Sequence, residues 1–200
     1  MDKLQLDDNL LLGEGRHKVV YAHPEDNKKC IKIMKDAADT ELLRELKYHK
    51  ILKKRGKKLS MMVQYYGEVE TNLGHGYIFE RIMDFDGSPS REVSAIFEDR
   101  ENTEKVLGCT VQDVLHKFHK LLMEEKVVVS NIDSYNYMLQ RTSPSEYTIR
   151  VIDNIGTPAH LPLAYYFDFL AGRHIQKYWQ RFVKRYSQKY PGVFPEDLLK

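Results

Sequence analysis

Residues 127–156 read VVVSNIDSYNYMLQRTSPSEYTIRVIDNIG, and the alternation of apolar and polar runs in them decides the fold. An apolar run leads into a polar loop ending at Asn136. A second run, 137–139, is followed by a turn rich in Ser and Pro, and a third, 148–152, ends on Asp153. The β-branched residues of that third run favour a pleated, partly buried strand. A hairpin built this way holds the Asn136 amide oxygen beside the Asp153 carboxylate, a donor pair suited to a magnesium ion that carries nucleotide phosphates. An ordinary hairpin with polar ends would use the same residues.

Working outward toward the amino terminus, three short apolar runs at 10–12, 19–22 and 30–34 are separated by GEGRHK and HPEDNKK, which predicts three strands. Gly13 and Gly15 allow a tight turn whose N–H groups approach a ligand, as a phosphate-cradling loop requires, and a plain hairpin would also accept them. Lys32 sits between Ile31 and Ile33, so strand alternation places it on the opposite face; there it is either a phosphate contact or a solvated lysine. Good helix formers and apolar residues at 42, 43, 46 and 51 predict a helix over 39–54, capped by Asp39 or Thr40. Glu41 or Glu45 on that helix can hold Lys32 in an ion pair. The run KKRGKK, 53–58, is expected as a solvated turn. Two further strands, 62–70 and 76–82, flank TNLGHG and bring the count to five, and DFDG at 84–87 reads as a linker.

Toward the carboxyl terminus, 92–105 reads as a short helix plus a loop. From Thr110 the pattern sharpens, with Val111, Val114, Leu115, Phe118, Leu121 and Leu122 on one stripe and Thr110 with Asp113 as a capping box. His116 and His119 are expected as packing residues, because no third metal ligand accompanies them. Residues 163–190 read as one or two helices with an apolar stripe at Ile175, Trp179, Phe182, Val183 and Tyr186. The stripe is flanked by Arg and Lys, so it is either core with a solvated basic face or a surface for membrane or nucleic acid.

Composition narrows the classes. Lys plus Arg is 31 against 29 for Asp plus Glu, a formal charge of +2, so nothing drives the whole chain toward nucleic acid or anionic lipid. Acid in the first residues and the absence of a long apolar run predict a cytoplasmic protein with no stable membrane insertion. Cys30 and Cys109 have no metal-ligand spacing and are expected as reduced packing residues.

In order, a glycine loop, a strand lysine, a helix glutamate, a five-stranded lobe, a long helix, a loop ending in Asn, and Asp on a strand end before Gly resemble the eukaryotic-type protein kinase fold. A closer resemblance is to the bacterial YrbL family, named for membership of the PhoP regulatory network. It is carried by LGEGRHKVVYAHPEDNKKCIKI, RELKYHKIL, YYGEVETNLGHGYIFERIMDFDG and VIDNIGTPAHLPL, which together span most of the chain. The resemblance implies an α+β, bilobal kinase-like fold in a single domain: a five-stranded N-lobe (1–83), a linker (84–92) and a minimal, mostly helical C-lobe (93–200). It implies a bacterial cytosolic protein tied to envelope-stress or magnesium-responsive regulation, with ATP and Mg2+ as cofactors. Gly13 and Gly15 would cover the phosphates, Lys32 would contact them with Glu45 as its partner, and Asn136 and Asp153 would bind the metal.

Departures from the kinase pattern bear on activity. Asn131 stands where active kinases place the Asp that accepts the hydroxyl proton, and Asp133 stands where they usually place a phosphate-contacting Lys. An amide orients a hydroxyl without taking its proton. Asp133 is the nearest candidate for that role, and its alternatives are a second metal or the cap of a turn. The stretch after Asp153 is also shorter than a full activation segment and peptide-binding subdomain. These features point to an atypical phosphotransferase acting on an unspecified acceptor, or to a nucleotide-dependent regulatory pseudokinase.

Overall fold

The computed structural model describes residues 3–36, 40–160 and 162–199. Five strands form one antiparallel sheet: β1 (Leu11–Glu14), β2 (Lys18–His23), β3 (Asp26–Met34), β4 (Tyr65–Thr71) and β5 (Gly74–Glu80), in the order β1-β2-β3-β5-β4. The expected five strands are present, with the third beginning earlier, at Asp26, and the fourth later, at Tyr65. β3 is central, and Lys32 pairs with Val20 on one side and Tyr77 on the other.

Alternation along β3 has the predicted consequence. Ile31 and Ile33 face a small core with Leu6, while Cys30 and Lys32 face the other way, toward helix α1 (Thr40–Lys54) and Phe79. Gly76 on β5 lies so close to β3 that an added Cβ would sit 2.6 Å from the Ile31 Cγ2. Of the two expected caps of α1, Thr40 is its first residue and Asp39 lies outside the described residues.

The second half begins with DFDG, a tight turn in which Asp84 N–H donates to Ser88 O at 2.8 Å. A two-stranded expectation becomes a three-stranded sheet here: β6 (Arg91–Glu92) pairs with β7 (Tyr137–Arg141), which pairs with β8 (Tyr147–Val151). Arg141 on β7 ties down the linker, donating from Nε to Asp84 Oδ2 at 2.8 Å and pairing with Asp86. Residues 92–105, expected as one helix and a loop, contain two helices, α2 (Ser94–Glu98) and α3 (Arg100–Leu107), the second ended by Gly108 at φ 67°.

Helix α4 (Val111–Glu125) has the predicted capping box: Thr110 Oγ1 accepts from Asp113 N–H at 3.2 Å and Asp113 Oδ2 accepts from Thr110 N–H at 2.9 Å. Phe118 on α4 meets Tyr137, Trp179 and Phe182 edge-on, at centroid distances of 4.6, 5.4 and 6.0 Å. The stripe on α5 (Asp168–Lys189) is therefore core: Ile175, Trp179, Phe182 and Val183 are fully buried. His119 stacks on Trp179 and bonds Gln176, while His116 pairs with Asp197, so the two histidines serve separate contacts.

The two halves are joined by backbone as well as by packing. Val151 N–H donates to Met61 O at 2.7 Å and Val63 N–H to Val151 O at 3.3 Å, which docks the chain after α1 onto β8. The run KKRGKK does more than sit in solvent. Arg55 Nη2 donates to Tyr166 O at 3.1 Å, and Lys57 pairs with Asp168 at 2.7 Å.

Candidate functional site

Lys32 reaches the site because β3 aims it at α1. Its ammonium stands 3.2 Å from both carboxylate oxygens of Glu45, donates to Ile152 O at 2.8 Å, and lies 4.0 Å from the Phe79 ring centroid. Lys32 and Glu45 are 5% and 1% exposed, so the solvated reading of the lysine fails and Glu45 is the helix partner. Burial works against the charge on Lys32, and is outweighed by Glu45 and then Asp153, which hold its pKa above the ordinary value. Burial pushes the Glu45 carboxyl up, with the Lys32 ammonium pulling it back.

The β7–β8 hairpin delivers the other side. Tyr137 pairs with Val151, and Ile152 N–H donates to Asn136 O at 2.9 Å, so Asn136 and Asp153 flank the same hairpin end. Asp153 Oδ1 accepts from Asn154 N–H at 2.8 Å and pairs with Lys18. Burial opposes ionisation of Asp153, but Lys32 and then Lys18 outweigh it and hold its carboxyl below the usual range. The Asn136 side-chain amide makes no hydrogen bond to another described residue.

Between the halves lies a cleft of 390 Å³, a size suited to a small-molecule ligand. Most of its wall is apolar, from Leu12, Val20, Val63, Ile82, Met138 and Ile152; Lys18, Lys32 and Asp153 form one charged group in it, and Glu80, Arg81 and Glu92 also line it. Gly13 lines it and Glu45 stands behind Lys32, whereas Gly15, Asn131, Asp133 and Asn136 do not line the wall. Cys30 also lines it, its thiol pushed up to about 11 by burial, which suits a packing role.

Gly13 and Gly15 have no local steric reason to be glycine. Neither has a positive φ, an added Cβ at Gly13 would meet nothing within 4 Å, and one at Gly15 would make only an ordinary 3.7 Å contact with Lys18 O. Gly156 is different: at φ 92°, its missing Cβ makes room for the Tyr165 hydroxyl and the Arg44 stem.

Asp133 lies away from the cleft wall. Its Oδ1 accepts from the Tyr186 hydroxyl at 2.7 Å and its Oδ2 pairs with Arg185 at 3.0 Å. The same tyrosine oxygen accepts from Ser134 N–H at 3.2 Å, so the carboxylate anchors its loop to α5.

Residues 4–187 match the family described as PhoP regulatory network protein YrbL. The chain belongs to that family. It is 36% identical to YrbL of Escherichia coli (strain K12) over 183 residues, covering 90% of this chain and 86% of the relative, and the Shigella flexneri YrbL matches to the same extent. Among the described residues no helix is long and apolar enough to cross a membrane. No group of three or more His, Cys, Asp or Glu among them could hold a metal ion.

Sequence reasoning missed Lys18 and the anchoring of Asp133. A signal for Lys18 exists: it fills the third position of the G-x-G-x-x-G spacing begun by Gly13 and Gly15. Tyr186 lies 53 residues from Asp133, and no local pattern connects them.

Proposed function

We propose that the cleft binds ATP and that this YrbL-family protein is kinase-like, with an N-lobe over 1–83, a linker over 84–92 and a mostly helical C-lobe over 93–200. The observation that carries this reading is the buried Lys32–Glu45 pair, with Lys32 lining a largely apolar cleft. Burying two charges is costly unless they are well paired, and a lysine held this way is positioned for phosphate oxygens. The apolar walls suit a base, and Gly13, open to the cleft, suits close approach of a polyphosphate.

Asn136 and Asp153 are the residues that would hold a magnesium ion carried in on the phosphates, and the ion would neutralise phosphate charge. One carboxylate and one amide fit an ion that takes most of its oxygens from phosphate and water. The reading favoured for the chemistry is an atypical phosphotransferase: it is supported by Lys32 and Asp153 lining the cleft and by Asn136 flanking the same hairpin end as Asp153, and Asn131 would orient an acceptor hydroxyl. A cytoplasmic location goes with it. The second reading, a regulatory nucleotide-binding protein without transfer, is favoured by the engagement of Asp133 with Tyr186 and Arg185, which takes the nearest carboxylate out of use as a base.

Thermal unfolding tests nucleotide binding. ATP at about 100 times its dissociation constant stabilises the folded chain by roughly 2.7 kcal/mol, and no shift with any nucleotide, with or without magnesium, refutes the reading. Labelled ATP incubated with the protein and bacterial lysate, followed by separation of lipid, sugar and protein fractions, divides the two chemistries. Label in any fraction or on the chain itself supports transfer; binding without label supports the regulatory reading.

A further inference from the structure

Lys18 occupies the place of the third glycine in the loop and enters the cleft instead of leaving it open. β2 fixes its backbone opposite Met34, its side chain is only 10% exposed, and its ammonium pairs with Asp153, 135 residues away. An ammonium has three N–H donors, and among the described residues Asp153 is the one hydrogen-bond partner of this one. Lys18 lines the ligand-sized cleft, so its remaining donors are available to the oxygens of a ligand there.

The charge balance points the same way. Lys32, Glu45 and Asp153 alone carry a net charge of −1, and Lys18 brings the cluster to zero, removing a repulsion that an incoming polyphosphate would otherwise need further positive charge to offset. Metal-dependent sites obtain it from a divalent cation on the Asp. Here Asp153 Oδ1 already faces the Lys18 ammonium and the Asn154 N–H, which lowers the pull of that carboxylate on a second cation.

We infer that Lys18 is a built-in counter-ion for the nucleotide polyphosphate, so that the cleft binds ATP and ADP without a divalent cation. This rests on the reading of the cleft as a nucleotide site. Lys18 bridges Asp153 and the phosphates while Lys32 contacts them from the other side, and magnesium is accepted at the site but not required for binding.

Isothermal titration of the whole chain with ATP, once in EDTA and once in excess magnesium, tests this on the wild type, Lys18→Met and Lys18→Arg. The wild type is expected to bind with similar affinity in both buffers. Lys18→Met, which keeps the apolar stem, is expected to lose about ten- to a hundredfold in EDTA, the worth of a charge-assisted hydrogen bond, and to recover with magnesium because Asp153 is released. Lys18→Arg keeps the charge and binds in EDTA, which covers the case in which Lys18→Met fails to fold. Wild-type binding confined to the magnesium buffer overturns the inference and leaves the nucleotide reading standing, as does undiminished binding of Lys18→Met in EDTA. Absence of wild-type binding in both buffers overturns the two together.

Discussion

The Lys32 ammonium lies 3.2 Å from each carboxylate oxygen of Glu45, with both side chains buried. Removing one member of such a pair strands the other charge. Glu45→Gln and Lys32→Met are therefore each expected to cost about 3 kcal/mol in urea unfolding, and the double variant Lys32→Met/Glu45→Leu less than the sum of the two. Additive losses would show that the two side chains do not act as a pair.

Two glycines predict opposite outcomes. Gly13→Ala introduces a methyl group into open space, so stability is unchanged or rises by about 0.5 kcal/mol, while ATP affinity falls because the loop can no longer approach the phosphates closely. Gly76→Ala forces a methyl against Ile31 and is expected to cost about 1–3 kcal/mol with no direct effect on the ligand. Calorimetric titration alongside denaturant unfolding separates them, and a Gly13→Ala variant with full ATP affinity contradicts the loop assignment.

Tyr186 holds Asp133 through a hydroxyl that both donates to the carboxylate and accepts from Ser134. Tyr186→Phe is expected to destabilise the chain by about 1.5–3 kcal/mol, the range for a hydrogen bond to a charged group. Where phosphoryl transfer is detected, Asp133→Asn leaves its rate intact once the loss of stability is allowed for, whereas Asp153→Asn abolishes it. A rate that collapses with Asp133→Asn while nucleotide affinity holds would restore the carboxylate as a base.

His49 on α1 supplies a pH dependence. Burial, and then the nearby Lys32 charge, lower its pKa to about 4, and its Nε2 is buried without a partner. The unfolded chain takes up the proton first, near pH 6.5, so the folded state loses stability as pH falls from 6.5 toward 4 and no further below that. The loss is at most about 3 kcal/mol. His174, also lowered by burial, adds a loss of the same sign. Urea unfolding at pH 7 and pH 5 is expected to show a smaller drop for His49→Phe than for the wild type, and equal drops would contradict the assignment.

Local chemistry was legible in the sequence. The capping box at Thr110 and Asp113 and the placement of Lys32 on the face opposite Ile31 and Ile33 each follow from residues a few positions apart, whereas the burial of Lys32 and of the α5 stripe was one of two open readings in each case and is decided by packing. Glu45 was one of two candidates, and only the packing of α1 on β3 selects it. Lys18 with Asp153, Asp133 with Tyr186, and Lys57 with Asp168 are separated by 135, 53 and 111 residues. Such contacts depend on how elements dock, and neither periodicity nor spacing encodes that. For Lys18 the loop position carried a hint, since a lysine in a place that favours glycine has to direct its side chain somewhere.

Amide hydrogen exchange of the whole chain with and without ATP tests the central claim most directly, because it locates the ligand as well as detecting it. Slowed exchange is expected in peptides covering residues 11–20, 80–82, 136–138 and 150–154, which surround the cleft, and the effect should disappear in Lys32→Met. Unchanged exchange at saturating ATP, or protection confined to surfaces away from Lys32 and Asp153, would contradict it.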